Sequence, residues 1–227
     1  MNKIISIFIY LRGFITFVVI GPILLIATIL YPPALYKFVV NFCRLMIFMF
    51  GCRIASKGVF PKNESFVIMA NHESFLDVFA IPTVITGKFS AVAASFNFKI
   101  PVYSLFLKKL RTVSINRSNR EQAIAGIKQA EQVLKDGYHI VILPEGTRTM
   151  TGQLGKFKKG GFHLAKNTNV RILPIITEGL FSIKPKNRWT IQPGLIKIKI
   201  CHPIETKNKT IEEVLEETKR LFLKTKN

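Results

Sequence analysis

The chain has 227 residues, enough for one ordinary domain with a sizeable core and an added element, but not for two full domains. Its 33 Lys and Arg against 13 Asp and Glu give a formal charge of +20, yet 48% of its residues are hydrophobic and its mean hydropathy is +0.28. That pairing argues against a nucleic-acid protein and for one lying on an anionic membrane, where each surface Lys or Arg contributes about 1 kcal/mol.

Residues 13–36 carry no charge, and 17–30 are almost wholly apolar with Gly21 and Pro22 near the centre. This is about the length of helix that crosses a bilayer, ~20 residues. Pro32-Pro33 breaks it, and a second apolar segment, 38–52, carries Arg44 inside, which suits a tilted or interfacial helix. A cleaved signal peptide fits poorly, because Arg12 interrupts the run and no small-x-small site follows. Lys3 and Arg12 on one flank, with Arg53 and Lys57 on the other, predict that both ends are cytoplasmic. The expectation is a membrane-associated helical hairpin over 1–57, either spanning or inserted into one leaflet, followed by an α/β domain over 58–227.

Beyond Lys57, short apolar runs at 65–70, 139–143, 170–176 and 195–201 alternate with helical periodicity, as at 122–134. The pattern predicts an α/β fold with a mixed sheet flanked by helices. Ile124, Ile127, Ala130, Val133 and Leu134 follow a helix period, and Ile196, Ile198 and Ile200 alternate with Lys197 and Lys199 as in a half-exposed strand. Thr210 with Glu213 three residues on marks a helix start. Cys43, Cys52 and Cys201 are scattered, fit neither a disulfide framework nor a zinc site, and are expected as small buried hydrophobes in a reducing compartment.

The first chemical constellation is Asn71-His72-Glu73-Ser74-Phe75-Leu76-Asp77, directly after an apolar run. Five positions on a regular helix would point His72 and Asp77 about 140° apart, so the two require a bend between them. With Ser74 as an N-cap, His72 would lie in the loop and Asp77 in the first turn of the next helix, facing back. Asp77 would then hold one ring nitrogen protonated while the other takes a proton from an alcohol attacking a thioester. A His and an Asp near a turn are, taken alone, more often a structural pair. The second constellation is Leu143-Pro144-Glu145-Gly146-Thr147-Arg148-Thr149, followed by Phe157-Lys158-Lys159-Gly160-Gly161. A tight turn at Gly146, exposed N–H groups, Thr147 and Arg148 could surround a phosphate, and Arg117 could add a bidentate contact.

Together these blocks resemble the glycerolipid acyltransferase family, in particular its bacterial 1-acylglycerol-3-phosphate acyltransferases. Asn71-His72-x-x-x-x-Asp77 matches the first family block, Arg117 the second, Pro144-Glu145-Gly146-Thr147-Arg148 the third and Leu173-Pro174-Ile175 the fourth, in order and over nearly the whole chain. Two departures are Ala94-Ser95-Phe96, where the family often carries a Lys and an acidic residue, and Ser114-Ile115-Asn116 before Arg117. The resemblance implies that His72 and Asp77 form a catalytic dyad, and that Arg117, Glu145, Gly146, Thr147 and Arg148 help bind a phosphorylated acceptor; Lys158, shortly after that turn, is a further candidate for substrate binding.

The implied reaction takes an acyl group from acyl-coenzyme A or acyl-carrier protein to lysophosphatidic acid, with no cofactor, on the cytoplasmic side of a bacterial inner membrane and beside anionic lipids. Phe75, Phe79, Phe96 and Phe98 are candidates for the acyl-chain surface, though ordinary core positions otherwise. The competing readings are acylation of another lysophospholipid and a noncatalytic lipid-binding module, which leaves the dyad idle. A lipid hydrolase lacks a G-x-S-x-G site, and His72, His139, His163 and His202 show no metal-ligand spacing.

Overall fold

The computed structural model describes residues 3–116 and 119–226. Helix α1 (Lys3–Leu30) continues through Pro22, and Pro32-Pro33 open a short 3-10 turn that leads into α2 (Leu35–Met49). Small residues let α1 lie close against the rest of the chain. A Cβ on Gly13 would fall 2.8 Å from the Phe50 ring, and one on Gly21 would fall 3.2 Å from Val102. Ser6 and Ile191 share hydrogen bonds near the start of the same helix. Its opposite face is bare, with Phe8, Phe14, Val19, Ile26 and Leu30 exposed. On α2, Val39, Phe42, Cys43, Met46 and Ile47 form one buried helical stripe.

Strands β1 (Arg53–Lys57), β2 (Val67–Ala70), β3 (Phe89–Ala94), β4 (Val113–Ile115), β5 (His139–Ile142), β6 (Ile172–Glu178) and β7 (Leu195–Ile200) form one sheet. Their order is β1-β7-β6-β2-β5-β3-β4. β7 is antiparallel to β6 and every other pairing is parallel, so the sheet is mixed as expected. The remaining helices are α3 (Asp77–Ala80), α4 (Tyr103–Lys109), α5 (Arg120–Lys135), α6 (Gly160–Asn167), α7 (Leu180–Ile183) and α8 (Ile211–Lys226).

Two apolar layers sandwich the sheet. Ile68, Ala70, Leu173, Ile175 and Ile196 pack against α1 and α2, while Val67, Met69, Ile172 and Ile176 pack against α5, α6 and α8. The central strand β2 is therefore buried on both faces, which is why it reads as an unbroken apolar run. β7 alternates as its sequence predicts, with Lys197 and Lys199 outward. Thr210 and Glu213 exchange reciprocal bonds at the head of α8, the expected capping box.

Three strands carried no usable sequence signal. β1 is mostly exposed, β3 is Phe-Ser-Ala-Val-Ala-Ala without alternation, and β4 has three residues. Because β1 joins the sheet, the segment expected as a hairpin over 1–57 also supplies an edge strand. Ile124, on the apolar stripe of α5, is exposed in the structure, whereas Ala130, Val133 and Leu134 are buried.

Candidate active site

The site lies beyond the carboxyl end of β2. Asn71 lets the chain leave the sheet there: its side chain accepts from the Thr177 N–H and donates to the Thr177 carbonyl, both at 2.8 Å. The amide thus completes one more rung toward β6, and the backbone is free to turn at His72. Asp77 closes that turn. One oxygen, Oδ2, accepts from the Glu73 and Ser74 N–H groups at 3.0 Å each and lies 2.6 Å from His72 Nδ1. Asp77 is fully buried and His72 only partly.

Two backbone N–H donors on Oδ2 mark it as an acceptor, so the His72 proton sits on Nδ1 and Nε2 keeps its lone pair. Among the described residues Nε2 has no hydrogen-bond partner. Burial holds the Asp77 carboxyl above its ordinary value, against the smaller lowering effect of the His72 ring and the Ser74 and Glu73 N–H groups. Ser74 was expected to cap the following helix, but α3 starts three residues later, at Asp77. Its hydroxyl instead accepts from the Leu76 N–H and donates to the Lys184 carbonyl at 2.8 Å.

The turn after β5 grips His72 from the other side. Glu145 Oε1 accepts the His72 N–H at 2.7 Å, Oε2 accepts the Gly155 N–H at 2.8 Å, and the Thr149 N–H donates to the His72 carbonyl at 2.9 Å. Glu145 is buried and directs both oxygens inward onto these N–H groups, while the residue also lines the cavity beside the turn. A carboxylate and an acceptor phosphate would repel, so the inward orientation is the physically sensible one. The Gly146 N–H is likewise turned inward, onto the Leu143 carbonyl.

Gly146 has φ +71°, and a Cβ there would fall 2.9 Å from Lys158 Cε. The glycine therefore makes room for the Lys158 side chain to cross the turn. Thr147 and Lys158 are exposed and Arg148 is half-buried, all bordering a cavity of about 720 Å³ completed by Glu145, Thr149–Thr151, Gln153–Phe157 and Lys159. The structure thus brings His72, Asp77, Glu145, Gly146, Thr147, Arg148 and Lys158 together. Arg117 lies outside the described residues. Phe75 and Phe79 pack edge-on or tilted against Phe50, and Phe96 is exposed.

Residues 51–178 match the family model described as Acyltransferase. The chain belongs to the acyltransferase family. It is 33% identical over 186 residues to a 1-acyl-sn-glycerol-3-phosphate acyltransferase of Pseudomonas aeruginosa, covering 77% of this chain and 70% of that protein. It is 32% identical over 164 residues to one of the same description from Cocos nucifera, covering 72% and 53% of the two chains. It spans about half the length of that plant relative and of an algal one, from Chlamydomonas reinhardtii. Its fold is similar to the crystal structure of the 1-acyl-sn-glycerophosphate (LPA) acyltransferase PlsC of Thermotoga maritima, with a TM-score of 0.86 at 26% identity over 100% of this chain and 98% of that one.

Sequence reasoning about this acyltransferase missed the residues that brace the dyad from afar. Glu73 accepts from the Asn71 amide and from the Phe181 N–H, both at 3.0 Å, tying the histidine loop to the start of α7. Glu73 stood inside the motif, and nothing in its spacing pointed to α7. Lys184 and Arg188, which follow α7, also escaped notice because they sit in no motif.

Proposed function

We propose that this acyltransferase moves a fatty acyl group from acyl-coenzyme A or acyl-carrier protein to the sn-2 hydroxyl of 1-acyl-sn-glycerol-3-phosphate, giving phosphatidic acid. The observation that carries the reading is the 2.6 Å contact between His72 Nδ1 and buried Asp77, with Nε2 unengaged among the described residues and the His72 backbone held by Glu145 and Thr149, which line the cation-bordered cavity. Nε2 takes the acceptor's hydroxyl proton as the oxygen attacks the thioester carbonyl. The tetrahedral intermediate then expels the thiolate, which recovers that proton from the imidazolium. Bonds, electrons and protons balance without a cofactor. General-base catalysis of this kind contributes about 10² to 10⁴ in rate, and Asp77 preserves it by stabilising the imidazolium.

Arg148 and Lys158, with the Thr147 hydroxyl, hold the acceptor phosphate, while Glu145 and Gly146 shape the turn that presents them. The names carried by the relatives support this acceptor. The exposed apolar face of α1 supports membrane attachment. Because the opposite face packs on the domain near both Ser6 and Gly21, we assign the helix to one leaflet rather than a span. A charge of +20 suits the anionic cytoplasmic face of a bacterial inner membrane.

The test is acyl transfer from each donor to lysophosphatidic acid in membranes containing the intact chain or His72→Ala. Phosphatidic acid from the intact chain alone is the expected result. Activity retained in His72→Ala overturns the base assignment, and acylation of a different lysophospholipid by the intact chain overturns the acceptor.

A further inference from the structure

The segment between β6 and β7 holds cations that the mechanism above leaves unused. Lys184 directly follows α7 and is only 8% exposed. Its Nζ donates to the Pro185 carbonyl at 2.8 Å, and no acidic side chain pairs with it among the described residues. Lysine is seldom buried so deeply without an anion, since desolvating an ammonium costs several kcal/mol. Burial and the nearby guanidinium groups of Arg148 and Arg188 together hold the Lys184 ammonium below its ordinary value.

The cluster is held rigidly against the site. The Ser74 hydroxyl donates to the Lys184 carbonyl at 2.8 Å, and Ser74 is also one of the three donors' hosts around Asp77 Oδ2. Glu73 accepts from Phe181, and the Phe181 ring lies 3.0 Å from where a Gly152 Cβ would stand. The Asn187 amide reaches the Met150 carbonyl at 3.4 Å. Segment 181–188 is thereby docked on the histidine loop at one edge and on the cavity wall at the other. Arg188 is spent on carbonyls of Ser182, Ile183 and Thr190 and acts on Lys184 as a neighbouring positive charge. Arg148 has no ion pair among the described residues.

Lys184 thus has two guanidinium neighbours and no acidic side chain paired with it among the described residues, while nearby Glu73 and Glu145 hold backbone N–H groups, so the cations suit an anion from outside. We propose that Lys184 contacts a substrate phosphate group together with Arg148, and so fixes the enzyme's preference for a phosphorylated substrate. This rests on the acyl-transfer reading for the identity of the substrate, though not for the existence of the site. The phosphate belongs either to the acceptor headgroup or to the nucleotide portion of a coenzyme A donor. Lysine on the β6–β7 side and arginine on the β5 side would then grip it from two directions.

The experiment compares wild type, Lys184→Met and Lys184→Arg. With lysophosphatidic acid varied at saturating acyl-coenzyme A, Lys184→Met is expected to raise the acceptor KM about 10- to 100-fold, the loss of one charge-assisted hydrogen bond, with kcat within about threefold. Lys184→Arg restores most of the affinity. A rise confined to the donor KM assigns the phosphate to the donor, and unchanged KM for both substrates overturns the proposal. A second arm is independent of turnover: the thermal midpoint in rising inorganic phosphate, against chloride at equal ionic strength. Phosphate should stabilise wild type and Lys184→Arg, but not Lys184→Met, which without phosphate melts no lower than wild type because it loses a buried unpaired cation. Equal stabilisation of all three sinks the site, even if the chain acylates no acceptor at all. Loss of stabilisation in Lys184→Met alone sustains it, whatever becomes of the acyl-transfer reading.

Discussion

Replacing Glu145 with glutamine preserves side-chain length and volume but changes what its two terminal atoms can accept. In the native chain Oε1 and Oε2 receive the N–H groups of His72 and Gly155 at 2.7 and 2.8 Å. Glutamine offers one oxygen and one NH₂, so whichever way it turns, one N–H faces another donor. Hydrogen bonds to a charged group contribute about 1.5–3 kcal/mol each, and here one is weakened and the other becomes a clash. The expected loss is about 3 kcal/mol of stability, a fall of roughly 6–12 °C in Tm for a chain of this size. Relaxing the clash moves the His72 backbone, and a misplacement of about 1 Å at a reacting group costs around 10²-fold.

Glu145→Gln should therefore lower kcat about a hundredfold while the acceptor KM stays within about threefold. The assay is initial-rate acyl transfer with lysophosphatidic acid varied, beside a thermal melt in the same detergent. A contact between Glu145 and the acceptor predicts the reverse split. A KM raised tenfold with kcat and Tm unchanged would refute the bracing argument.

Asp77→Asn should reduce kcat about 10³- to 10⁴-fold, because an amide neither stabilises the imidazolium nor fixes the Nδ1–H tautomer; activity within tenfold of wild type contradicts the dyad. His139 is a separate, structural histidine: Nδ1 accepts from the Phe66 N–H at 3.1 Å and Nε2 meets the Thr86 carbonyl. Burial holds its pKa below the ordinary value of 6.5. Its contribution to stability is thus complete above about pH 6.5 and is lost as pH falls from there through the folded-state value. His139→Asn keeps an acceptor toward Phe66 and should flatten that part of the acid slope in melts between pH 7.5 and 5; an unaltered slope assigns it elsewhere. Trp189 is the chain's single tryptophan, half exposed, with its carbonyl bonded to Tyr10 of α1. Its emission should shift to the blue on adding anionic vesicles, and an unmoved spectrum would place this end of α1 away from the lipid.

The dyad was legible in the sequence because its parts are local. His72 and Asp77 are five residues apart, the bend between them follows from helix geometry, and the donors that share Asp77 Oδ2 lie inside the same motif. The central strands were legible for a related reason, since burial on both faces leaves an apolar run that needs no partner to be noticed. What escaped was long-range. Glu145 meets His72 across 73 positions, Asn71 meets Thr177 across 106, and Ser74 meets Lys184 across 110. A glutamate in a turn next to arginine reads naturally as part of an anion site, and only the fold reveals that its two oxygens are taken up by the N–H groups of His72 and Gly155. Ser74 misled for the same reason: its best partner is not the nearby helix but a carbonyl far along the chain.

Sheet order explains why these distant residues meet at His72. β2 lies between β5 and β6 and parallel to both, so all three carboxyl ends open on one side. A residue just past β2 can be held from both flanks at once. Asn71 takes hold of β6 through Thr177, while the turn leaving β5 engages both the N–H and the carbonyl of His72. A histidine past an edge strand would have one such neighbour and could tilt about it. Its place past the central strand leaves the ring with a fixed backbone and a fixed Nδ1 partner, so that Nε2 is the one part of His72 still open to a substrate. The same geometry brings the β6–β7 segment, with Lys184, alongside the β5 turn, with Arg148, although 36 positions separate them in the sequence. A phosphate held between those two segments would bridge the same strands that already fix the histidine. Binding charge there and positioning the hydroxyl at Nε2 would then be one mechanical event rather than two.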